Sequence, residues 1–386
     1  MGLRSASVAM LAGNFAIGCG VMVTAGSLND LVASLQVSVA MGGQLISVAA
    51  AAMALGAPLL AVLWGDGDRR KVLTLALVWY AAGHTLCALM PSYTSLLPVR
   101  ALSVLGAAVF TPQAAAAINT MAPPAERGRA MTFIFLGWSI SSVIGLPLHA
   151  WIGETFGWRW AFALVAVLSV AAAVAVWRTV PSGVRPVPLP LRSWGTVLSH
   201  PLLMGLVAVT VLSGAGQFTL FTYIAPYCRR VLGAGPEGVS LLFMWFGVFG
   251  LIGNLLLTHW IDRLGATRCV NVGLVLISLA MIAWPWAQDV SLLALAIVPW
   301  ALGLFSSNSA QQARLSGAGP VFAPALLSLN TSAIYLGQAI GAFTGGAMIA
   351  GTGFEYLHLA ALAFMGLAIA LSVWLGWHMR HKVVHA

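Results

Sequence analysis

Cutting this 386-residue chain at every Asp, Glu, Lys and Arg leaves twelve charge-free runs of at least 18 residues, from Ser5–Asn29 to Tyr356–Met379. About 20 apolar residues carry one helix across the hydrocarbon core of a bilayer, so each run predicts one crossing. The longer runs, such as Ser193–Cys228 and Leu315–Phe354, hold one helix and a loop, because two helices and a turn need more than about 40 residues. With 60% hydrophobic and 7% charged residues, against about 25% charged in ordinary domains, a soluble globular protein is excluded. The expected fold is an all-α membrane protein of twelve transmembrane helices.

The formal net charge of +9 raises the alternative of a nucleic-acid surface, and the placement of the charges decides against it. If the runs alternate sides from an inside N-terminus, 14 of the 18 Lys and Arg fall inside, among them Arg69, Arg70, Lys71, Arg127, Arg129, Arg263, Arg268 and Arg314. Arg159, Arg229 and Arg230 fall outside, and Arg100 falls within a crossing. The positive-inside rule then puts both termini in the cytoplasm. No basic patch with interleaved aromatics is present, so no nucleic-acid partner is expected. Cys19, Cys87, Cys228 and Cys269 show no ligand spacing, and neither a disulfide, a metal nor a cofactor is implied. Residues 1 to 26 read as an uncleaved first helix rather than a signal peptide.

The stretch Arg178 to His200, rich in Pro and Arg, separates six runs from six. This predicts a six-helix bundle over 1–180, a cytoplasmic linker over 181–200 and a second bundle over 201–386, as an internal duplication would give. A weak echo supports the duplication: Gly56-Ala-Pro-Leu-Leu leads to Asp66, Asp68, Arg69, Arg70 and Lys71, and Gly253-Asn-Leu-Leu-Leu leads to Asp262, Arg263, Gly265 and Arg268.

A glycine followed by a mixed-charge turn after the second and eighth helices resembles the major facilitator superfamily, whose members carry G-x-x-x-D-R-x-G-R-R/K there. Arg100 with Gly106 is similar to its R-x-x-x-x-x-G element, and Gly137…Gly145-Leu-Pro147 to the glycine-proline motif of its exporters. Gly157-Trp158-Arg159-Trp160-Ala-Phe162 resembles the G-W-R-x-x-F of the drug:proton antiporter branch. Ser328-Leu-Asn330-Thr-Ser332 with Gly337, Gly341, Gly345 and Gly346 resembles the sugar, nucleoside and chloramphenicol exporter group within it. The chain also departs from the pattern. Ala61 and Asp68 stand at the first copy's two glycines and Gly65 at its aspartate, whereas the second copy keeps Asp262-Arg263-x-Gly265 and is expected to do the gating. His149 stands where the family has a glycine, and Cys19-Gly20-Val21-Met22 replaces the acid common in the first helix.

Polar groups inside a bilayer need a partner or a task. Arg100 can bind an anionic group or snorkel to the outer interface. His84 in the third run and His149 in the fifth can carry a proton or sit satisfied by a helix backbone. Asp30 can do the same or remain a solvated helix-end carboxylate. In the superfamily helices one, four, seven and ten line the central cavity, which implies substrate contacts from Asn14, Met22, Gln113, Arg100, Gln217, Phe221, Asn308 and Gln311, with Asn330, Gln338 and the deep Trp138 beside them. Ser213, Gln217 and Phe221 share one helical face, as do Trp300, Leu304 and Asn308. The same stripes can be interhelical glue. Trp64, Trp151, Trp158, Trp177, Trp260 and Trp377 read as interface anchors, and Trp245 as a deeper residue. Amides, hydroxyls and aromatics without an embedded acid suit a neutral or anionic organic cargo.

The resemblance implies a monomeric secondary exporter of a drug, sugar or nucleoside type of molecule, in the inner membrane of a bacterium, with protons as the coupling ion. A uniporter of the same fold and a non-transporting receptor are the alternatives. An enzyme is not expected, since no H-E-x-x-H or G-x-S-x-G sequence occurs, and no G-x-x-x-x-G-K-[ST] loop supports a nucleotide-driven pump.

Overall fold

The computed structural model describes residues 2–64, 67–123, 126–185 and 191–383. Among them are twelve helices long and apolar enough to cross a membrane, and no strand. In chain order these are α1 (Leu3–Gly26), α2 (Val39–Leu60), α3 (Arg69–Leu89), α4 (Tyr93–Met121), α5 (Arg129–Phe156) and α6 (Trp158–Thr179). The second half holds α7 (Pro201–Arg230), α8 (Pro236–Ile261), α9 (Ala266–Trp286), α10 (Val290–Ala318), α11 (Ala325–Thr352) and α12 (Leu357–Met379). The chain divides into two compact units, Met1–Pro188 with Gly233–Met244 and Leu189–Leu232 with Trp245–Ala386. The expected linker is not structureless, since Leu191–Leu198 forms a short helix.

Several crossings are built from two helical pieces, and the breaks recur in both halves. α4 joins Tyr93–Ser103 to Leu105–Met121, and α10 joins Val290–Ala296 to Val298–Ala318. Likewise α1 continues beyond Ser27 as the short helix Leu28–Ser34, and α7 breaks between Phe221 and Ile224. Pro226 and Pro299 fall in the first turn after their breaks, where a missing N–H leaves no helical bond unmade. α5 contains one turn of π-helix, Ser141–Gly145, immediately before Leu146-Pro147. A wide turn there absorbs the bond that the proline cannot donate.

Two crossings start earlier or end later than the charges suggest. The fourth run opens at Ala101, yet α4 begins at Tyr93, where Ser92 and Ser95 form a capping box. The tenth run ends before Arg314, yet α10 continues to Ala318. Both arginines are buried helix residues rather than boundaries.

Small residues let helix backbones meet. Gly137 of α5 lies so near α1 that an added Cβ would sit 2.7 Å from the Phe15 nitrogen, and at Gly145 it would meet the Cys19 sulfur at 2.5 Å. At His149 the small residue comes from the facing helix instead: a Cβ on Gly26 would lie 3.2 Å from the Ala150 nitrogen and from His149 Cβ. The small residue of the family pattern is thus exchanged across the seam rather than lost. The turn from α5 to α6 requires glycine as well, because Gly157 adopts φ +101°.

The sequence grouped Trp158 with the interface tryptophans, but it is fully buried, with its indole N–H donating to Ser34 Oγ at 2.7 Å. Trp64, Trp151, Trp177, Trp260 and Trp377 are exposed, as anchors facing lipid should be. Trp245 is exposed too, and its indole N–H donates to Ala294 O.

Candidate functional site

In the first unit the polar centre is Arg100. α4 carries it to a point where one Nη reaches His84 Nε2 of α3 at 2.9 Å and the other donates to Gly20 O of α1 at 2.7 Å. A guanidinium has donors alone, so His84 Nε2 must accept, and Nδ1–H donates to Tyr80 O at 2.8 Å. The hydrogen bonds therefore fix a neutral ring and its tautomer. Tyr80 stacks on His84 with ring centroids 4.2 Å apart and donates its hydroxyl to Ile17 O at 3.0 Å. The Phe162 ring lies 5.5 Å from the guanidinium carbon, and no carboxylate among the described residues contacts Arg100. Burial without a counter-ion rules out the snorkelling alternative for this conformation.

The remaining first-unit candidates separate by partner. Asp30 is half-buried and accepts the Trp158 backbone N–H at 2.7 Å, so it caps α6. Asn14 bridges helices, donating to Ile134 O at 3.0 Å and accepting from Thr111 at 2.9 Å. Met22 sulfur meets Ser142 Oγ at 3.8 Å beside the π-turn. Gln113 and His149 are buried, and Trp138 is half-buried at the same turn. Pro147 O accepts from Ser240 Oγ at 2.9 Å.

In the second unit Gln217 of α7 joins two helices. Its Nε2 donates to Ser213 Oγ at 3.1 Å, and its Oε1 accepts from the Trp300 indole of α10 at 3.2 Å. Phe221 adds edge contacts to Phe218 and Trp300 and a tilted one to Phe246. Asn330 of α11 accepts from Thr210 at 2.7 Å. Gln311 donates to Leu206 O at 2.6 Å, while its Oε1 and Asn308 Oδ1 have no hydrogen-bond partner among the described residues. Gln338 is buried on α11. The sequence stripe on α7 and the one on α10 thus meet in a single amide–aromatic cluster.

The charged loop after α2 has a task of its own. Asp68 Oδ1 accepts the Arg70 N–H at 3.0 Å and caps α3, while its Oδ2 accepts the Gly183 N–H at 2.9 Å. Arg69 donates its amide to Val184 O at 2.9 Å and its guanidinium to Trp64 O and Gly67 O. Arg70 covers the Trp177 ring at 4.2 Å. Asp68, at a family glycine position, thereby staples the start of the linker to α3. Replacing Asp68 by Ala is expected to cost about 1 kcal/mol through the lost cap, and hydrogen exchange at the Gly183 amide should rise. Unchanged exchange there would show the staple to be idle. Gly56 packs α2 on α4, where a Cβ would lie 2.6 Å from Leu105. The helix of the eighth crossing runs on to Leu264, and Arg263 is exposed in its last turn. Asp66 and the Asp262 side chain lie outside the described residues.

Arg314 was missed as a site residue, because its charge reads as a loop boundary. It is buried on α10, with its two Nη donating to Ser372 Oγ at 2.8 Å and Ser372 O at 3.0 Å, and Ser372 donates onward to Asn271 Oδ1 at 2.6 Å. α9, α10 and α12 are thus laced together. The nearest signal in the sequence is helical spacing, since Gln311 and Arg314 lie one turn apart with Pro320 beyond. Among the described residues no three His, Cys, Asp or Glu gather as metal ligands.

Twelve crossings, glycine seams and one buried polar cluster in each unit describe a transporter, and the family model of the Major Facilitator Superfamily matches residues 10–323. The chain belongs to the Major Facilitator Superfamily. As a member of that superfamily it is a transporter and not an enzyme. It is similar to the inner membrane transport protein YdhP of Escherichia coli (strain K12), 29% identical with 94% of each chain covered. A probable sugar efflux transporter of Pasteurella multocida is 24% identical, covering 92% of this chain and 88% of the relative. Among solved structures, a D-xylose-proton symporter superposes with a TM-score of 0.79 at 17% identity and 97% coverage of both chains, which shows the shared fold.

Proposed function

We propose that the protein exports a small polar organic molecule of the sugar type by alternating access, driven by the proton gradient. The observation that carries this reading is the cluster of Gln217, Ser213, Trp300 and Phe221 in the second unit. An amide held between a hydroxyl and an indole can exchange those bonds for the hydroxyls of a saccharide, and the rings offer its apolar face a stacking surface. Among the described residues no Asp or Glu is buried, which disfavours a cationic cargo. Curated relatives named as sugar efflux transporters support the direction and the class. In this reading the six-helix bundles are 1–180 and 201–386, joined by a cytoplasmic 181–200. Both termini face the cytoplasm by the positive-inside rule, and the monomer works in the inner membrane.

The test is flux in proteoliposomes with a pH gradient imposed in either direction, across a panel of glucose, xylose, lactose and uridine. Saccharide movement against its gradient supports the reading; no flux for any saccharide refutes the cargo class. Replacing Gln217 by Ala should raise the half-saturation concentration for the preferred saccharide about 10-fold, since losing one or two buried hydrogen bonds costs about 1–3 kcal/mol. An unchanged value would remove the cluster from the binding site.

A further inference from the structure

A polar atom buried in a bilayer without a partner is costly, so each one calls for a reason. Of the three titratable side chains singled out in the first unit, two are engaged: Asp30 caps α6, and His84 is held at both nitrogens by Tyr80 and Arg100. His149 is fully buried, and neither ring nitrogen has a hydrogen-bond partner among the described residues. Its backbone, in contrast, is tightly fixed. Its carbonyl accepts from Ser27 Oγ at 3.2 Å, and a Cβ added to Gly26 would lie 3.2 Å from its own Cβ. The π-turn and Pro147 directly precede it.

We infer that His149 is the site that takes up and releases the coupling proton, an assignment that rests on the proton-driven reading above. In whichever tautomer the neutral ring adopts, a proton can add to its unprotonated nitrogen without breaking a hydrogen bond. At His84 it would displace the Arg100 hydrogen bond and set two cations 2.9 Å apart. The titratable or charged groups on the elements packed around His149 leave it room. Cys19 on α1 lies against Gly145, Asp30 holds Trp158, Glu154 on the same helix accepts from Asn29 at 2.6 Å, Arg159 on α6 donates to Met90 O, and Glu237 on α8 is exposed. His84 on α3 is within electrostatic reach, with Arg100 directly behind it. A proton on His149 therefore adds a second positive charge to a unit interior that already contains Arg100. It strains the Arg100–Gly20 tie between α4 and α1, and so links proton binding to helix movement.

Two measurements on the full chain test this. In lipid nanodiscs, the 15N spectrum of the His149 ring should pass from neutral to doubly protonated as the pH is lowered from 8 to 3, while His84 keeps its Nδ1–H tautomer. In proteoliposomes under a gradient of two pH units, wild type exchanging one proton for one saccharide should concentrate the fastest member of the panel about 100-fold, as each pH unit is worth tenfold. His149→Gln should keep gradient-free exchange of that saccharide and lower the accumulation ratio to about 1. A ring that stays neutral throughout overturns the assignment, and so does full accumulation by His149→Gln. If wild type equilibrates the saccharide whatever the gradient while the ring still titrates, the proton-driven reading falls, and the coupling role of His149 falls with it.

Discussion

Replacing Arg100 by Leu is expected to lower flux of the preferred saccharide at least about 100-fold, because two hydrogen bonds to a charged group, each worth about 1.5–3 kcal/mol, amount to about 3 kcal/mol or more and each 1.36 kcal/mol is tenfold in rate. The protein should nevertheless fold. Ordinarily, removing one partner of a buried ion pair leaves an orphaned charge and costs several kcal/mol. Here no carboxylate among the described residues contacts the guanidinium, so leucine removes the buried charge itself. The loss of its bonds to Gly20 O and His84 is offset by the desolvation that no longer has to be met. Flux and stability should therefore separate, and thermal unfolding in detergent should move by no more than a few degrees. Arg100→Lys should recover little of the flux, since an ammonium lacks the planar fork that serves acceptors on α1 and α3 together. Wild-type flux in the leucine variant would reduce Arg100 to packing, and failure to fold would show that the tie is structural.

Arg100 also marks where the sequence could not be read. The number and order of the crossings were legible because the bilayer penalises every charge, so uncharged runs of 18 or more residues are nearly synonymous with helices. That logic ends an uncharged run at each arginine, so the run edges fall inside two helices, at Arg100, which was itself read as lying within a crossing, and at Arg314, which was read as a boundary. Arg100 lies two turns inside α4 and Arg314 one turn inside the end of α10. Periodicity did better within a helix: Ser213, Gln217 and Phe221 were visible as one face, and they do converge. Their partner Trp300 was visible on its own stripe, yet nothing in either spacing says that the two stripes meet. The His84–Arg100 pair is opaque for the same reason, because it depends on how α3 and α4 are rotated against each other. Asp68 shows a different limit. A departure from a family pattern reads as decay, whereas here the carboxylate takes on a cap and a staple that a glycine could not provide.

The glycines of α11 carry the largest expected effect on folding. Gly337, Gly341 and Gly345 follow one another at intervals of four and face α7 along its length. A Cβ on Gly337 would lie 2.5 Å from Val211 O, 2.9 Å from Gly214 Cα and 3.0 Å from the Ala215 nitrogen. On Gly341 it would lie 2.8 Å from the Thr219 nitrogen, and on Gly345 2.5 Å from Thr219 O. These obstacles are backbone atoms of another helix, which cannot rotate away as a side chain tip can, so the helices must separate. Overpacking costs about 1–3 kcal/mol per site in an ordinary core, and separation along this seam also stretches the Thr210–Asn330 and Tyr223–Ala342 bonds that cross it. Gly337→Ala should lower the unfolding midpoint by several degrees. Gly337→Leu combined with Gly341→Leu should leave no folded protein to purify. Gly351, near the end of the same helix with open space around it, is the control: Gly351→Ala should be neutral. If the double leucine variant purified with a wild-type midpoint, the close approach of α7 and α11 would be wrong, and the shared small-residue seam could no longer explain why glycine recurs there.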